Sequence, residues 1–216
     1  KTTYRVVVGQ LSDHDPRSIS YLSDAQTLGL NCVEKIICQD LYFLKGSLSE
    51  KQVNQLTAQI LHDPVTQAIK TETLGDDAGV SMKGEVDKKV IEVCLRPGVT
   101  DPVAGQILRA AQILGINGLI AVSTGQRFLI KGKEINTDDL QTLAGRLFCN
   151  NVIQRYALGT IQPAFPSEAQ SSAAVEVLPI RGVPDKELMR LSKERRTALD
   201  LSEMKAIQAY YEKEGK

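Results

Sequence analysis

The chain has 216 residues, enough for one large domain or two small ones with a substantial core. Its 26 basic and 26 acidic residues cancel, which argues against a general nucleic-acid binder because such proteins usually carry a basic excess. No apolar run has the length of a bilayer span and no charged, then apolar leader is visible, so we expect a soluble, cytoplasmic protein without membrane contact.

The first part of the chain carries two helix signals between strand-like stretches. The helices are predicted near Pro16–Leu28 and Ser49–His62. Asp15 precedes the first of them and can cap its free N–H groups, while a proline suits the first helical position. We therefore expect a folded unit at residues 3–74, followed by a polar, glycine-bearing surface connector at 75–87.

The next stretch begins with "KVIEVCLRPG", an apolar, β-branched run that predicts a strand ended by Pro97 and Gly98. In "TDP", Asp101 and Pro102 again favour a helix cap and a first helical residue. Apolar residues then recur at helical spacing until Gly115, which is typical of a helix end.

The second unit continues with "LIAVSTGQRFLIKG", which we interpret as two strands around a turn at residues 124–126. "NTDDLQTLAGRLFCN" predicts a helix capped by Asn136 or Thr137, and "VIQRYAL" a final strand. The order strand–helix–strand–strand–helix–strand over residues 88–158 predicts an α+β fold of the ferredoxin-like βαββαβ type.

The two units are an internal repeat with an offset of 86 residues. Between residues 4 and 46, the positions identical to the residue 86 places later are Val7, Asp15, Pro16, Leu22, Ala25, Gln26, Leu28, Gly29, Asn31, Lys45 and Gly46. After one insertion the match continues at offset 87, for example at Val65 and Gln67. A sheet with helices on one face leaves the other face bare, so we expect two ferredoxin-like repeats to cover each other's bare faces as a pseudo-dimer.

The end of the chain differs in composition. Residues 159–174 are rich in Pro, Ser and Ala and predict a linker. Residues 175–216 then read as the start of a further, truncated region, in which "AVEVLPI" predicts a short strand and two helices follow, the second capped near Ser202.

Catalytic and metal-binding signatures are scarce in this sequence. The four cysteines form no CxxC pair and the two histidines lie far from them, so we expect no metal ligand set, no cofactor and no catalytic residue in this chain. Loops on a rigid scaffold commonly contact partners, which makes the strand ends of the second unit the candidate partner-contact residues. They are Arg96, Pro97, Gly98, Lys131 and Lys133.

Two stretches, "RPGVTDPVAGQILRAAQILGI" and "LFCNNVIQRY", resemble the PurS family, the small bridging subunit of phosphoribosylformylglycinamidine synthase. The tail "LSKERRTALDLSEMKAIQAYY" resembles the segment that opens the large synthetase subunit, PurL. In large fused enzymes of this type a duplicated N-terminal domain replaces the PurS dimer. The first repeat departs from the pattern, since "QLSDHDP" stands where the second has the RPG element.

The resemblance implies a module of an ATP-dependent carbon–nitrogen ligase of purine biosynthesis. ATP and Mg²⁺ would belong to the parent enzyme, which converts formylglycinamide ribonucleotide and glutamine to the amidine. The implied partners are a PurQ-like glutaminase subunit and the synthetase body of the same chain. Association with further copies of the chain, as a homo-oligomer, is an alternative that the resemblance leaves open. The alternative is a regulatory module that binds a small molecule such as an amino acid between tandem ferredoxin-like domains.

Overall fold

The computed structural model describes residues 1–12, 14–74, 89–165 and 176–215. The chain divides into two compact units, Lys1–Ser167 and Glu168–Lys216. The predicted connector at 75–87 and most of the predicted linker, from residue 166 onward, lie outside the described residues.

The first unit alternates strands and helices in the same order twice. Its elements are β1 (Thr2–Gln10), α1 (Pro16–Thr27), β2 (Val33–Gly46), α2 (Glu50–Leu56) with a π-helical turn at Thr57–Leu61, β3 (Gln67–Leu74), β4 (Lys89–Leu95), α3 (Pro102–Ile113), β5 (Leu119–Gly132), α4 (Thr137–Leu143) with a π-helical turn at Ala144–Phe148, and β6 (Gln154–Leu158). The six strands form one antiparallel sheet in the order β3-β1-β2-β5-β4-β6. The predicted α+β class is confirmed.

The predicted turn at residues 124–126 is wrong, because β5 is one strand of 14 residues. Gly125 lies inside it, opposite Leu41. A Cβ at Gly125 would lie 2.5 Å from both the Val93 carbonyl oxygen and the Cys94 sulfur. The glycine therefore permits β4 to approach closely, which is the other common meaning of a glycine in a strand. The first half of this unit (β1 to β3) and its second half (β4 to β6) therefore contribute three strands each to the sheet, rather than four.

The predicted stacking of bare faces is also wrong, because the two halves join edge to edge through β2 and β5. Asp40 lies opposite Gln126, the residue 86 positions later. For every other pair of this ladder, adding 86 to the number of the β2 residue and subtracting 86 from that of the β5 residue gives another observed pair. The two long strands are therefore related by a local twofold axis near Asp40 and Gln126. Pairing the edges gives the backbone N–H and C=O groups of both long strands hydrogen-bond partners, whereas stacking the faces would leave those groups unpaired.

The register also corrects the sequence alignment in the first strand. Val6 lies opposite Tyr42, whereas Ile91 lies opposite Phe128, the counterpart of Tyr42. The offset between β1 and β4 is therefore 85, and the identity at Val7 does not mark an equivalent position. The second half has one additional residue in the loop before its first helix.

The cores of the two halves are intertwined on the helix-bearing face of the sheet. Tyr21 of α1 makes edge contacts with Phe128 and Phe148 at centroid distances of 5.3 and 5.2 Å. Phe128 and Phe148 stack at 3.9 Å. A helix from the first half thus packs on an aromatic pair from the second, and each core contains residues of both halves.

The repeated glycines at the ends of β2 and β5 mark this junction. A Cβ at Gly132 would overlap the Cys32 carbonyl oxygen, and one at Gly46 would overlap the Gly118 carbonyl oxygen. Cys32 and Gly118 are themselves 86 residues apart. Each glycine thus admits the loop that precedes the long strand of the other half.

Replacing Gly132 with Ala should lower the free energy of unfolding by about 1–3 kcal/mol, because the added methyl group overlaps backbone that cannot rotate away. Urea denaturation followed by circular dichroism measures this. The matched control is Gly105→Ala in α3, where a Cβ meets nothing within 4 Å. That change should raise stability by about 0.5–1 kcal/mol, as alanine is the better helix former. Equal effects of the two substitutions would contradict the close approach.

The second unit contains two helices, α5 (Asp185–Arg195) and α6 (Leu201–Glu214). The cap of α6 is Asp200, which accepts a hydrogen bond from the Glu203 amide at 2.9 Å, so the expected cap near Ser202 is wrong by two residues. Glu176–Ile180, the described part of the predicted strand, has no regular structure. Its sequence is apolar and β-branched, but it has no neighbouring strand among the described residues.

Candidate partner-contact site

The loop that follows β4 is held in a defined shape by backbone hydrogen bonds. The Arg96 amide donates to the Ile153 carbonyl at 2.9 Å, and the Val99 amide donates back to the Arg96 carbonyl at 3.1 Å. Gly98 has φ +88°, a conformation that favours glycine. Pro97 and Gly98 are both exposed, so the turn presents them outward on a constrained backbone.

Arg96 connects this turn to the loop before β6. Its Nε donates to the Asn151 carbonyl at 3.2 Å, and the Asn151 amide group donates to the Gly145 carbonyl at 3.1 Å. The two loops thus form one surface, which we call the RPG surface, comprising residues 96–99 and 150–153. The guanidinium stays exposed enough to meet a partner while its Nε is fixed.

Two apolar side chains stand on the RPG surface without a role in the core. Val152 is 83% exposed and Ile153 is 42% exposed. Asn150 holds this loop: its side-chain oxygen accepts from the Val152 amide at 3.1 Å, and its own amide donates to Gln154 Oε1 at 2.7 Å. A hydrogen-bonded loop that places two exposed apolar side chains beside an exposed arginine is compatible with a contact surface.

The first half carries a matching loop. The Asp63 carboxylate accepts from the Val65 amide at 2.9 Å, and the Asp63 amide donates to Gln67 Oε1 at 2.9 Å. The hydrogen bond from the Val65 amide, together with one from the Thr66 hydroxyl, holds the pKa of the Asp63 carboxyl below its ordinary value. Val65 is 82% exposed. Sequence reasoning missed this surface, although the valine repeated at an exposed turn position was its signal.

Asp101 ties the start of α3 to the sheet. One carboxylate oxygen accepts from the Ala104 amide at 2.9 Å, which caps the helix that Pro102 begins. The other accepts from the amide and the hydroxyl of Thr124, both at 2.9 Å. The Thr124 amide needs this partner because β4 pairs with β5 only as far as Gly125.

In the first half, a serine connects the capping aspartate to the sheet. Asp15 accepts from the Arg17 amide at 3.1 Å and from the Ser18 hydroxyl at 3.1 Å, at the start of the helix that Pro16 begins. The Ser18 oxygen in turn accepts from the Cys38 amide at 3.1 Å. Both aspartates therefore position helices on the sheet, and their carboxylates are occupied.

The remaining two candidate residues lie elsewhere. Because β4 and β5 are antiparallel, the end of β5 lies beside the start of β4, whereas Arg96 follows the end of β4. Lys131 lies opposite Lys35, and Lys133 approaches Glu34 at 3.7 Å with an 87% exposed side chain. The structure thus brings together Arg96, Pro97 and Gly98 but places both lysines at the opposite end of the sheet.

The cysteines serve as packing residues. All four are free thiols. Burial raises the pKa of Cys94 to about 12, and burial also raises the pKa of Cys149, with Arg96 opposing it. In the described part of the chain no three His, Cys, Asp or Glu side chains are grouped to hold a metal ion.

A buried charge network lies on the helix-free face and was missed by sequence reasoning. Glu92 is fully buried; one of its oxygens accepts from the guanidinium groups of Arg5 and of Arg127, the latter at 2.7 Å. Its other oxygen accepts from the Ile161 amide at 2.8 Å. Arg5 also donates to Glu72 at 3.2 Å. The network joins strands of both halves and fixes residues 159–165 across this face, where Ile161 and Phe165 cover apolar side chains.

The fold defines an α+β protein with one shared antiparallel sheet and a constrained, exposed loop surface at residues 96–99 and 150–153. Residues 88–161 match the PurS family model, described as phosphoribosylformylglycinamidine (FGAM) synthase. The match begins just before β4, contains the RPG surface and ends at Ile161. No curated protein matches the chain. None of the helices in the described residues has the length and apolar character that a membrane crossing requires.

Proposed function

We propose that this chain is the bridging module of a phosphoribosylformylglycinamidine synthase, in which it couples a glutaminase to a synthetase in purine biosynthesis. The observation that carries the proposal is the PurS match over residues 88–161, placed on a half whose sheet continues into a second half of the same element order. In this proposal residues 2–74 are an internal duplicate that replaces the second subunit of a PurS dimer.

The local twofold axis supports the duplication. A homodimer joined through β5-like strands would show a register in which every pair exchanges with its symmetric counterpart, and the β2–β5 ladder has this property around Asp40 and Gln126. The equivalent glycines Gly46 and Gly132 allow the same close approach of the neighbouring backbone on both sides of this axis. Fusing the two subunits removes the concentration dependence of their association.

The chemistry of the parent reaction explains why a bridging module is useful. Ammonia released from glutamine is protonated in water and then loses its nucleophilicity, so the glutaminase and the synthetase must be held together. In this proposal ATP, Mg²⁺ and all catalytic residues belong to the synthetase body and the glutaminase. This chain contributes a rigid spacer, since both halves share one sheet and intertwined cores.

We assign the partner contact to the RPG surface rather than to Lys131 and Lys133. It combines an exposed arginine, the 83% exposed Val152 and a backbone held by several hydrogen bonds. Arginine on a preorganised surface is typical of the energetically important part of an interface.

Replacing Arg96 with Glu in the complete enzyme should lower glutamine-dependent synthesis about tenfold, because a misplaced charge at a contact weakens docking of the glutaminase. Synthesis with added ammonia should stay within about twofold of the unchanged enzyme, as the synthetase chemistry lies elsewhere. Initial rates with the two nitrogen sources measure the ratio.

The control for this experiment is Arg109→Glu, the same charge change at an exposed position of α3 in the same half. It should leave both rates unchanged. An equal loss with glutamine and ammonia after Arg96→Glu would instead indicate a folding defect or a role in positioning the synthetase, and the coupling proposal would be abandoned for this surface.

A further inference from the structure

The six-stranded sheet has two outer strands, β3 and β6. β3 is the longer of them, with eight residues against five in β6. It pairs with β1 on one side, and on its other side no strand lies beside it among the described residues. Backbone N–H and C=O groups of β3 therefore point outward, where they can pair with a strand of another molecule.

The side chains of β3 alternate between the two faces of the sheet. Those on the helix-bearing face are all β-branched, namely Ile69, Thr71 and Thr73. Those on the helix-free face place a cation and a carboxylate between two apolar side chains, in the order Ala68, Lys70, Glu72 and Leu74. Lys70 Nζ lies 2.7 Å from Glu72 Oε1, and the two side chains are 66% and 22% exposed. The edge thus presents opposite charges two residues apart.

Only a few registers are open to an antiparallel pair made of two identical strands. Residues opposite each other direct their backbone groups either both toward the partner strand or both away from it. This direction alternates along a strand, so a twofold axis between two copies of β3 must pass beside a residue and not between two residues. Near the middle of β3 the axis can lie at Lys70, Thr71 or Glu72.

Charge selects one of these three registers. An axis at Lys70 places two lysines opposite each other and an axis at Glu72 places two glutamates opposite each other, and like charges in that position are destabilising. An axis at Thr71 instead places Lys70 of each copy opposite Glu72 of the other copy. The remaining pairs in this register join β-branched to β-branched and apolar to apolar side chains: Ile69 with Thr73, and Ala68 with Leu74.

The other outer strand, β6, is not self-complementary in this way. An axis at its central residue, Tyr156, places Gln154 opposite the apolar Leu158, and an axis at Arg155 places two arginines opposite each other. Arg155 also donates to the Gln162 carbonyl oxygen within the chain. The two outer strands occupy equivalent places in the sheet, but only β3 has a sequence that matches its own copy.

We propose that β3 is a docking edge for a second copy of this chain, paired antiparallel about a twofold axis at Thr71. The two six-stranded sheets then form one continuous sheet. A lysine on an outer strand commonly discourages pairing with other chains. Here each Lys70 meets the Glu72 carboxylate of the other copy, so the lysine selects the register. The proposal goes beyond the proposed function, since it depends on strand pairing and charge alone.

Cross-linking of the 216-residue chain through an introduced cysteine tests the register. Cβ atoms of directly opposite residues lie about 5 Å apart, so a short bis-maleimide reagent should join two copies of the Thr71→Cys variant. The matched control is Thr73→Cys, exposed on the same strand and face. Its two copies would lie four residues apart along the ladder, about 14 Å, beyond the reach of the reagent. The unchanged chain, with its four free cysteines, gives the background.

Sedimentation equilibrium measures the association itself. Lys70→Glu places like charges opposite each other twice in the dimer and should weaken it about 30-fold. The same charge change at Lys131, an exposed position on β5 that β1 and β2 separate from β3, should leave it unchanged. Glu72→Lys should also weaken self-association. A mixture of the Lys70→Glu and Glu72→Lys variants should restore it, because an acidic strand then pairs with a basic one.

Circular dichroism checks that both variants are folded, since Glu72 also accepts a hydrogen bond from Arg5. If Glu72→Lys does not fold, the cross-linking and the Lys70→Glu measurement still decide. A chain that stays monomeric at about 1 mM would overturn the proposal. So would a dimer that Lys70→Glu does not weaken, equal cross-linking of the Thr71→Cys and Thr73→Cys variants, or no recovery in the mixture of folded variants. None of these readouts depends on synthase activity.

Discussion

Replacing Glu92 with Gln should lower the free energy of unfolding of the sheet unit by about 3–5 kcal/mol, the usual cost of removing one partner of a buried charge pair. Glu92 is fully buried, and its loss of charge leaves the guanidinium groups of Arg5 and Arg127 in the interior without their shared carboxylate. The shift of the urea midpoint, followed by circular dichroism on the full chain, measures the effect.

The matched control is Glu34→Gln, which removes a carboxylate in the same unit whose side chain is 57% exposed and lies 3.7 Å from Lys133. Exposed pairs contribute little, so its midpoint should not move measurably. If Glu92→Gln shifted the midpoint no more than Glu34→Gln, the network would not be a stabilising feature of the sheet. Residues 159–165 should also become more susceptible to proteolysis in the Glu92 variant, since Ile161 loses a charged acceptor.

Replacing Phe128 with Ala should lower the free energy of unfolding by about 3–5 kcal/mol, because it removes a fully buried ring and leaves a cavity. Phe128 contacts Tyr21 of the first half and Phe148 of the second, so the cavity lies where the two halves meet. Thermal and urea unfolding of the full chain measure the loss.

A graded pair of controls accompanies this substitution. Phe128→Leu retains most of the volume and should cost less than about 1.5 kcal/mol. Tyr156→Ala truncates an aromatic side chain that is 36% exposed on the edge strand β6, and it should cost much less than Phe128→Ala. A Phe128→Ala variant as stable as Tyr156→Ala would contradict the view that the aromatic contacts join the halves.

The joined sheet restricts how the two halves can move relative to each other. Because β2 and β5 pair along nearly their whole length, the two halves cannot hinge without breaking the central ladder. The exposed valines of the two matching loops, Val65 and Val152, therefore keep a fixed separation. A bridging module that sets the spacing of two partners needs this rigidity, whereas a sensor that closes around its ligand needs a hinge.

Local patterns in the sequence were sufficient for the starts and ends of two helices. The apolar periodicity, the Asp-Pro starts and the glycine ends place α1 and α3 within one residue of their observed bounds. These features depend on hydrogen bonds between residues close in the chain, such as Asp101 to the Ala104 amide. The RPG element and the PurS match over residues 88–161 could also be recognised from the order of residues alone.

Long-range pairing decided what the sequence by itself left open. Gly125 is compatible with a turn or with a close strand approach, and only the neighbouring β4 backbone makes it the latter. Likewise, "KVIEVCL" has the same composition whether Glu92 faces solvent or the interior. Its burial follows from Arg5 and Arg127, which lie 87 and 35 residues away in the chain and meet it only in the shared sheet. Helix caps depend on neighbouring residues and can therefore be predicted from the sequence. Strand register determines which residues meet at sheet edges, in buried ion pairs and in loop surfaces such as the one that joins Arg96 to Asn151, so these features require the tertiary structure.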